Sequence, residues 1–90
     1  MDKFIRLSLL CKASTSISVN EHKDCYQSVE DYLTESEAEV SQDIRQQMIE
    51  LDRVVCVHFY PHTPIGFYQV YHWDVDKAVD EALAIAMEVC

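Results

Sequence analysis

The chain has 90 residues, 49% of them apolar, with a single glycine (Gly66), two prolines (Pro61, Pro64) and a formal net charge of −9. That composition suits one small packed α+β domain, 1–90, and argues against disorder, linkers or repeats. With seven basic residues against sixteen acids, binding nucleic-acid phosphates or an anionic membrane surface is disfavoured, and no run approaches the roughly 20 apolar residues that span a bilayer.

Between Phe4 and Cys11, the residues Ile5, Leu7, Leu9 and Cys11 alternate with others that include Arg6 and Ser8. Period two predicts a strand with one buried face. The same opening superficially suggests a lipoprotein signal. Arg6 interrupts its apolar run, however, and Leu9-Leu10 lacks the small residues that cleavage prefers. Cys11, Cys25, Cys56 and Cys90 are therefore expected as reduced thiols of a cytoplasmic protein. Lys12-Ala13-Ser14 turns the chain, and Thr15, Ile17 and Val19 alternate with Ser16, Ser18 and Asn20 as the second strand of a hairpin.

Ser28-Val29-Glu30-Asp31 and Thr34-Glu35-Ser36-Glu37 both read as helix starts, a hydroxyl cap with an acid three residues on. Val29, Tyr32 and Leu33 predict a short helix, followed by a bend near Thr34. Val40, Ile44, Met48 and Leu51 then recur at helical spacing, predicting a longer helix to about Asp52. Val54 to Tyr60 is β-branched and apolar on both parities, as in a central strand. Pro61-His62-Thr63-Pro64-Ile65-Gly66 turns it back into a strand from Phe67 to Trp73. Asp74 caps a last helix with Val75, Ala78, Val79, Ala82, Leu83, Ala86 and Met87 on its apolar face. The expected order is ββαββα: an α+β fold with a four-stranded antiparallel sheet and helices packed on one face.

Charge is unevenly distributed over these elements. Residues 21–52 hold ten acids against Lys23 and Arg45, whereas residues 53–73 hold Arg53 and no acid. Between Ser28 and Asp43 stand Glu30, Asp31, Glu35, Glu37, Glu39 and Asp43, with no base among them. Acids in a first turn complement the helix dipole. A helix stabilised for its own sake also interleaves Lys at i+4. One reading is a solvated face that keeps the chain soluble. That is the default; the second reading, to which the missing bases point, is a surface that engages a basic groove on a partner protein, such as one built to hold nucleic acid.

Pairing the last two strands around the turn puts Val55, Val57, Phe59, Phe67, Tyr71 and Trp73 on the expected core face. Cys56, His58, Tyr60, Tyr68, Val70 and His72 fall on the other. The open face offers His58, Tyr60, Tyr68 and His72 to a protein partner or a second copy. Cys56, His58, His62 and His72 are the residue types of a zinc site, but their spacing matches no established finger. Cys56 beside His58 or His72 lacks the oxyanion hole and orienting group of a nucleophile–base pair. There is no G-x-S-x-G, H-E-x-x-H or C-x-x-C, and one glycine excludes a glycine-rich phosphate loop. A non-enzymatic protein without metal or cofactor is expected.

In size, charge and layout the chain resembles the small phage-encoded inhibitors of bacterial defence, the anti-CRISPR proteins. Gly66-Phe67-Tyr68-Gln69-Val70-Tyr71-His72-Trp73-Asp74, running into Val75 to Leu83, has the strand–cap–helix ending seen in several of them and in HicB-like antitoxins. The resemblance implies a non-enzymatic inhibitor in the cytoplasm of a bacterial host. Its acidic helix would occupy the basic surface of a CRISPR–Cas effector where DNA should lie, with no direct contact to nucleic acid. The alternative is an antitoxin-like or self-associating module that uses the open sheet face.

Overall fold

A computed structural model describes residues 2–62 and 66–89. Its first element is a helix, α1 (Lys3–Leu9), and not the expected strand. Asp2 is the cause, since its carboxylate accepts hydrogen bonds from the backbone N–H groups of Phe4 (2.8 Å) and Ile5 (3.4 Å), closing the helix N-terminus. Phe4, Leu7, Leu10 and Cys11 then point inward together, and Leu7 is fully buried.

The elements that follow are β1 (Ser16–Val19), α2 (His22–Cys25), α3 (Val29–Glu35), α4 (Gln42–Leu51), β2 (Val55–Phe59), β3 (Tyr68–His72) and α5 (Val75–Val89). The sheet therefore has three antiparallel strands in the order β1-β2-β3, not the expected four. Among the described residues, the first segment keeps an isolated bridge between Cys11 and Pro61. Asn20 ends β1 by gripping Val54 twice: its N–H donates to the Val54 carbonyl (2.8 Å) and its side-chain oxygen accepts from the Val54 N–H (3.0 Å).

Helices cover both faces of the sheet, contrary to the expectation of one. Val55, Val57, Phe59 and Val70 form a core with Leu7 of α1 and with Ala78, Val79, Ala82, Leu83 and Ala86 of α5. On the opposite face Cys56 and Tyr71, with Val54, pack against Val29 and Leu33 of α3 and Met48 of α4. Both parities of β2 are thus buried, which is why its sequence is apolar throughout. Asp74 caps α5 as expected, accepting from the Lys77 N–H (3.4 Å).

The acidic segment forms two helices joined by residues 36–41. Ser28 caps α3 through the Asp31 N–H (3.1 Å), as read from the sequence. The second cap is Ser41, which accepts from the Ile44 N–H (3.4 Å). Thr34 is instead inside α3, and its hydroxyl accepts from the Arg45 guanidinium (2.9 Å). Glu37 ends α3 in the left-handed conformation, φ 53°, with Glu37 N–H donating to Thr34 O and Ala38 N–H to Leu33 O. These paired bonds are a Schellman closure, in which glycine is the usual residue.

Candidate interaction surface

Glu30 and Asp31 lie in the first turn of α3, Glu35 ends it, Glu37 and Glu39 stand in the connection, and Asp43 opens α4. All six are exposed. They spread over a helix–connection–helix unit and do not line one helix face. Among the described residues none of the six takes part in an ion pair. Arg45, the nearest base in sequence, spends its bond on Thr34.

Other acids are engaged locally. Asp80 meets Lys3 (2.7 Å), and Asp52 faces His22 Nε2 (3.2 Å) and Lys23 (3.7 Å). His22 is almost fully buried on α2 and packs near the Tyr32 ring, so this contact pins α2 to the end of α4. The sequence gives little hint of it, because α2 is a single turn without an apolar period.

The four residues of the expected sheet-face interface do not share a face. Phe59 pairs with Tyr68 and Val55 with His72, and paired residues of antiparallel strands project to the same side. Tyr68 and His72 therefore lie on the α5 side, while His58 and Tyr60 lie on the side of α3 and α4. The register sets odd-numbered residues of β2 opposite even-numbered residues of β3, the reverse of the parity read from the sequence. His72 is buried, and its Nδ1 accepts from the Asp74 N–H (3.2 Å). Burial holds its pKa below the usual imidazole value, partly countered by the Glu81 carboxylate 4.0 Å away.

His58 and Tyr60 join Phe67 in an aromatic cluster with ring centroids 4.7–6.0 Å apart. Phe67 is 53% exposed, and its position beside His58 reverses the face read from the sequence. Cys56 is buried beneath α3, and burial pushes its thiol up to about 11, with the Glu21 charge adding to the shift. Neighbouring Tyr32 and Tyr71 are also raised by burial. His62 is exposed on the turn, and residues 63–65 of that turn lie outside the described residues, as does Cys90. Cys56, His58, His62 and His72 do not converge, and no group of three His, Cys, Asp or Glu among the described residues is placed to hold a metal ion.

No helix among the described residues is long and apolar enough to cross a membrane. No family model matches the chain, no curated protein matches it in sequence, and no solved structure matches it.

Proposed function

We propose that the chain is a non-enzymatic, protein-binding inhibitor. Glu30, Asp31, Glu35, Glu37, Glu39 and Asp43 engage a basic, nucleic-acid-binding surface of the partner and exclude nucleic acid from it. The anti-CRISPR-like resemblance makes a CRISPR–Cas effector the partner of first choice. The observation that carries the reading is six exposed carboxylates without an internal counter-ion among the described residues. Asp31 and Glu35 stand one turn apart on α3, a like-charge spacing that costs helix stability, and a partner's Lys and Arg relieve that repulsion through charge-assisted hydrogen bonds. Their summed field also speeds encounter with a basic surface.

Capture from a bacterial lysate tests it, comparing wild type with a Glu30→Lys/Glu35→Lys/Glu37→Lys variant of matched melting temperature. The expected partner binds nucleic acid, is lost from the variant, and is released from wild type by duplex DNA. Retention by the variant, or indifference to DNA, refutes the reading. The aromatic cluster of His58, Tyr60 and Phe67 supports a second one, a self-associating or antitoxin-like module. Sedimentation of wild type beside Tyr60→Ser distinguishes it, since only this reading predicts a concentration-dependent dimer that the substitution dissolves.

A further inference from the structure

The sheet has two free edges, and the alternation of backbone bonds along β2 fixes what each one offers. The Val54 carbonyl accepts from Asn20 N–H and the Tyr60 carbonyl from Lys12 N–H. Residues of a central antiparallel strand bond to one neighbour and the other in turn. Val54, Cys56, His58 and Tyr60 therefore bond on the β1 side, and Val55, Val57 and Phe59 bond to β3. Their partners His72, Val70 and Tyr68 direct N–H and C=O inward. Gln69 and Tyr71 consequently direct both groups outward, along an edge that no other strand among the described residues covers. An open channel of about 180 Å³ follows this edge, with Glu39 and Ile44 on the α4 side and Glu81 and Ile85 on the α5 side.

We propose that the β3 edge is a docking site for an extended peptide segment of a partner protein, one that carries two consecutive basic residues. Such a strand takes up the outward groups of Gln69 and Tyr71, as in β-augmentation. Successive side chains of a strand point to opposite faces. One basic residue thereby comes to the face of Tyr71, where Glu39 stands, and its neighbour to the face of Val70, where Glu81 stands. Flanking apolar residues meet Ile44 and Ile85. A second copy of the chain is a poor occupant, because each copy carries a net charge of −9 and would set the same carboxylates against each other. The same alternation turns Ile17 and Val19 outward on β1. The cleft there is lined by Asp2, Lys3 and Asp76, with Asp2 committed to capping α1 and Lys3 paired with Asp80, so a base stands among its acids, whereas the charged residues lining the β3 channel are acids alone. The proposal goes beyond the acidic-surface reading: it shares Glu39 with that reading but requires backbone hydrogen bonds that the other does not.

The test is an amide-resolved NMR titration of the full chain with a capped hexapeptide, Thr-Val-Arg-Arg-Val-Thr, at physiological salt. Two further peptides carry backbone N-methyl groups on one or the other alternate set of residues. The expected result is a set of shifts centred on Gln69 and Tyr71, lost with one N-methylated peptide and kept with the other. A Glu39→Gln/Glu81→Gln variant with an otherwise unchanged spectrum should bind about tenfold more weakly. The Glu30→Lys/Glu35→Lys/Glu37→Lys variant should retain the same shift pattern, which separates failure here from failure of the acidic-surface reading. Absence of binding, equal binding of all three peptides, or shifts confined to residues 30–43 or to Ile17 and Val19 would overturn the proposal.

Discussion

Truncating Ile5, Leu7 and Leu9 to alanine one at a time separates a helical first segment from a stranded one. On a strand the three residues share a face, and all three truncations would be costly. On α1 they diverge, with exposures of 51%, 0% and 68%. Leu7 packs in the core formed with α5 and the sheet, and removing a fully buried leucine side chain costs about 2–5 kcal/mol. A 90-residue chain has a total stability of roughly 5–13 kcal/mol, so Leu7→Ala removes a large share of it. With a urea slope of about 1–1.5 kcal/mol/M, the midpoint should fall by roughly 1–5 M. Ile5→Ala and Leu9→Ala should each cost under about 1 kcal/mol, because alanine's helix propensity offsets part of the lost burial. Urea unfolding followed by far-ultraviolet circular dichroism reads all three. Three comparable losses would refute the helical packing.

The buried imidazole of His72 should make stability depend on pH. Its folded pKa lies below the usual value, so the neutral form is favoured by folding. The stability this gives is fully present above about 6.5, the unfolded pKa. It is lost as pH falls through the folded value, when protonation displaces the Asp74 N–H from Nδ1. Melting temperatures from pH 7.5 down to 5 should decline, and the decline should flatten in His72→Gln; parallel curves would show that other groups set the slope. For the thiols, Cys56, at about 11 and buried, should resist alkylation at pH 8 while exposed Cys25 reacts readily. Mass mapping of iodoacetamide adducts reads both, and fast labelling of Cys56 would show that α3 opens readily.

Where a side chain's role depends on one period, the fold was legible in the sequence. The apolar stripe of α5 recurs without a competing alternation, and β2 is apolar on both parities because both its faces are covered. The segment 4–11 satisfied two periods at once: Ile5, Leu7 and Leu9 alternate, while Phe4, Leu7, Leu10 and Cys11 recur at helical spacing. Only the Asp2 cap separates them. The bend was misplaced because Thr34 has the hydroxyl-and-acid pattern, with Glu37 three residues on, while the actual cap Ser41 has Ile44 there; the Thr34 hydroxyl is taken by Arg45 through a contact eleven residues away. The six acids were legible as a charge block. Their division between two helices was legible as well; the place of the break was not, because it follows from the Schellman closure at Glu37, where no glycine marks the end. The His58–Tyr60–Phe67 grouping was within reach, since the expected turn sets Tyr60 opposite Phe67 in the register that Phe59 and Tyr68 continue; matching odd with odd positions put Phe67 on the wrong face.

Asn20, Glu37 and Asp52 all have positive φ in a chain whose one glycine stands elsewhere. Asparagine and aspartate visit this region with comparative ease, but a longer side chain such as glutamate pays about 1 kcal/mol there. At Glu37 shape and charge are therefore in competition: glycine would relax the backbone and delete a carboxylate at the centre of the acidic block. Selection for folding alone and selection for binding alone would drive this position in opposite directions. A library randomised at residue 37 and sorted separately for thermal resistance and for partner capture would reveal which of the two governs it.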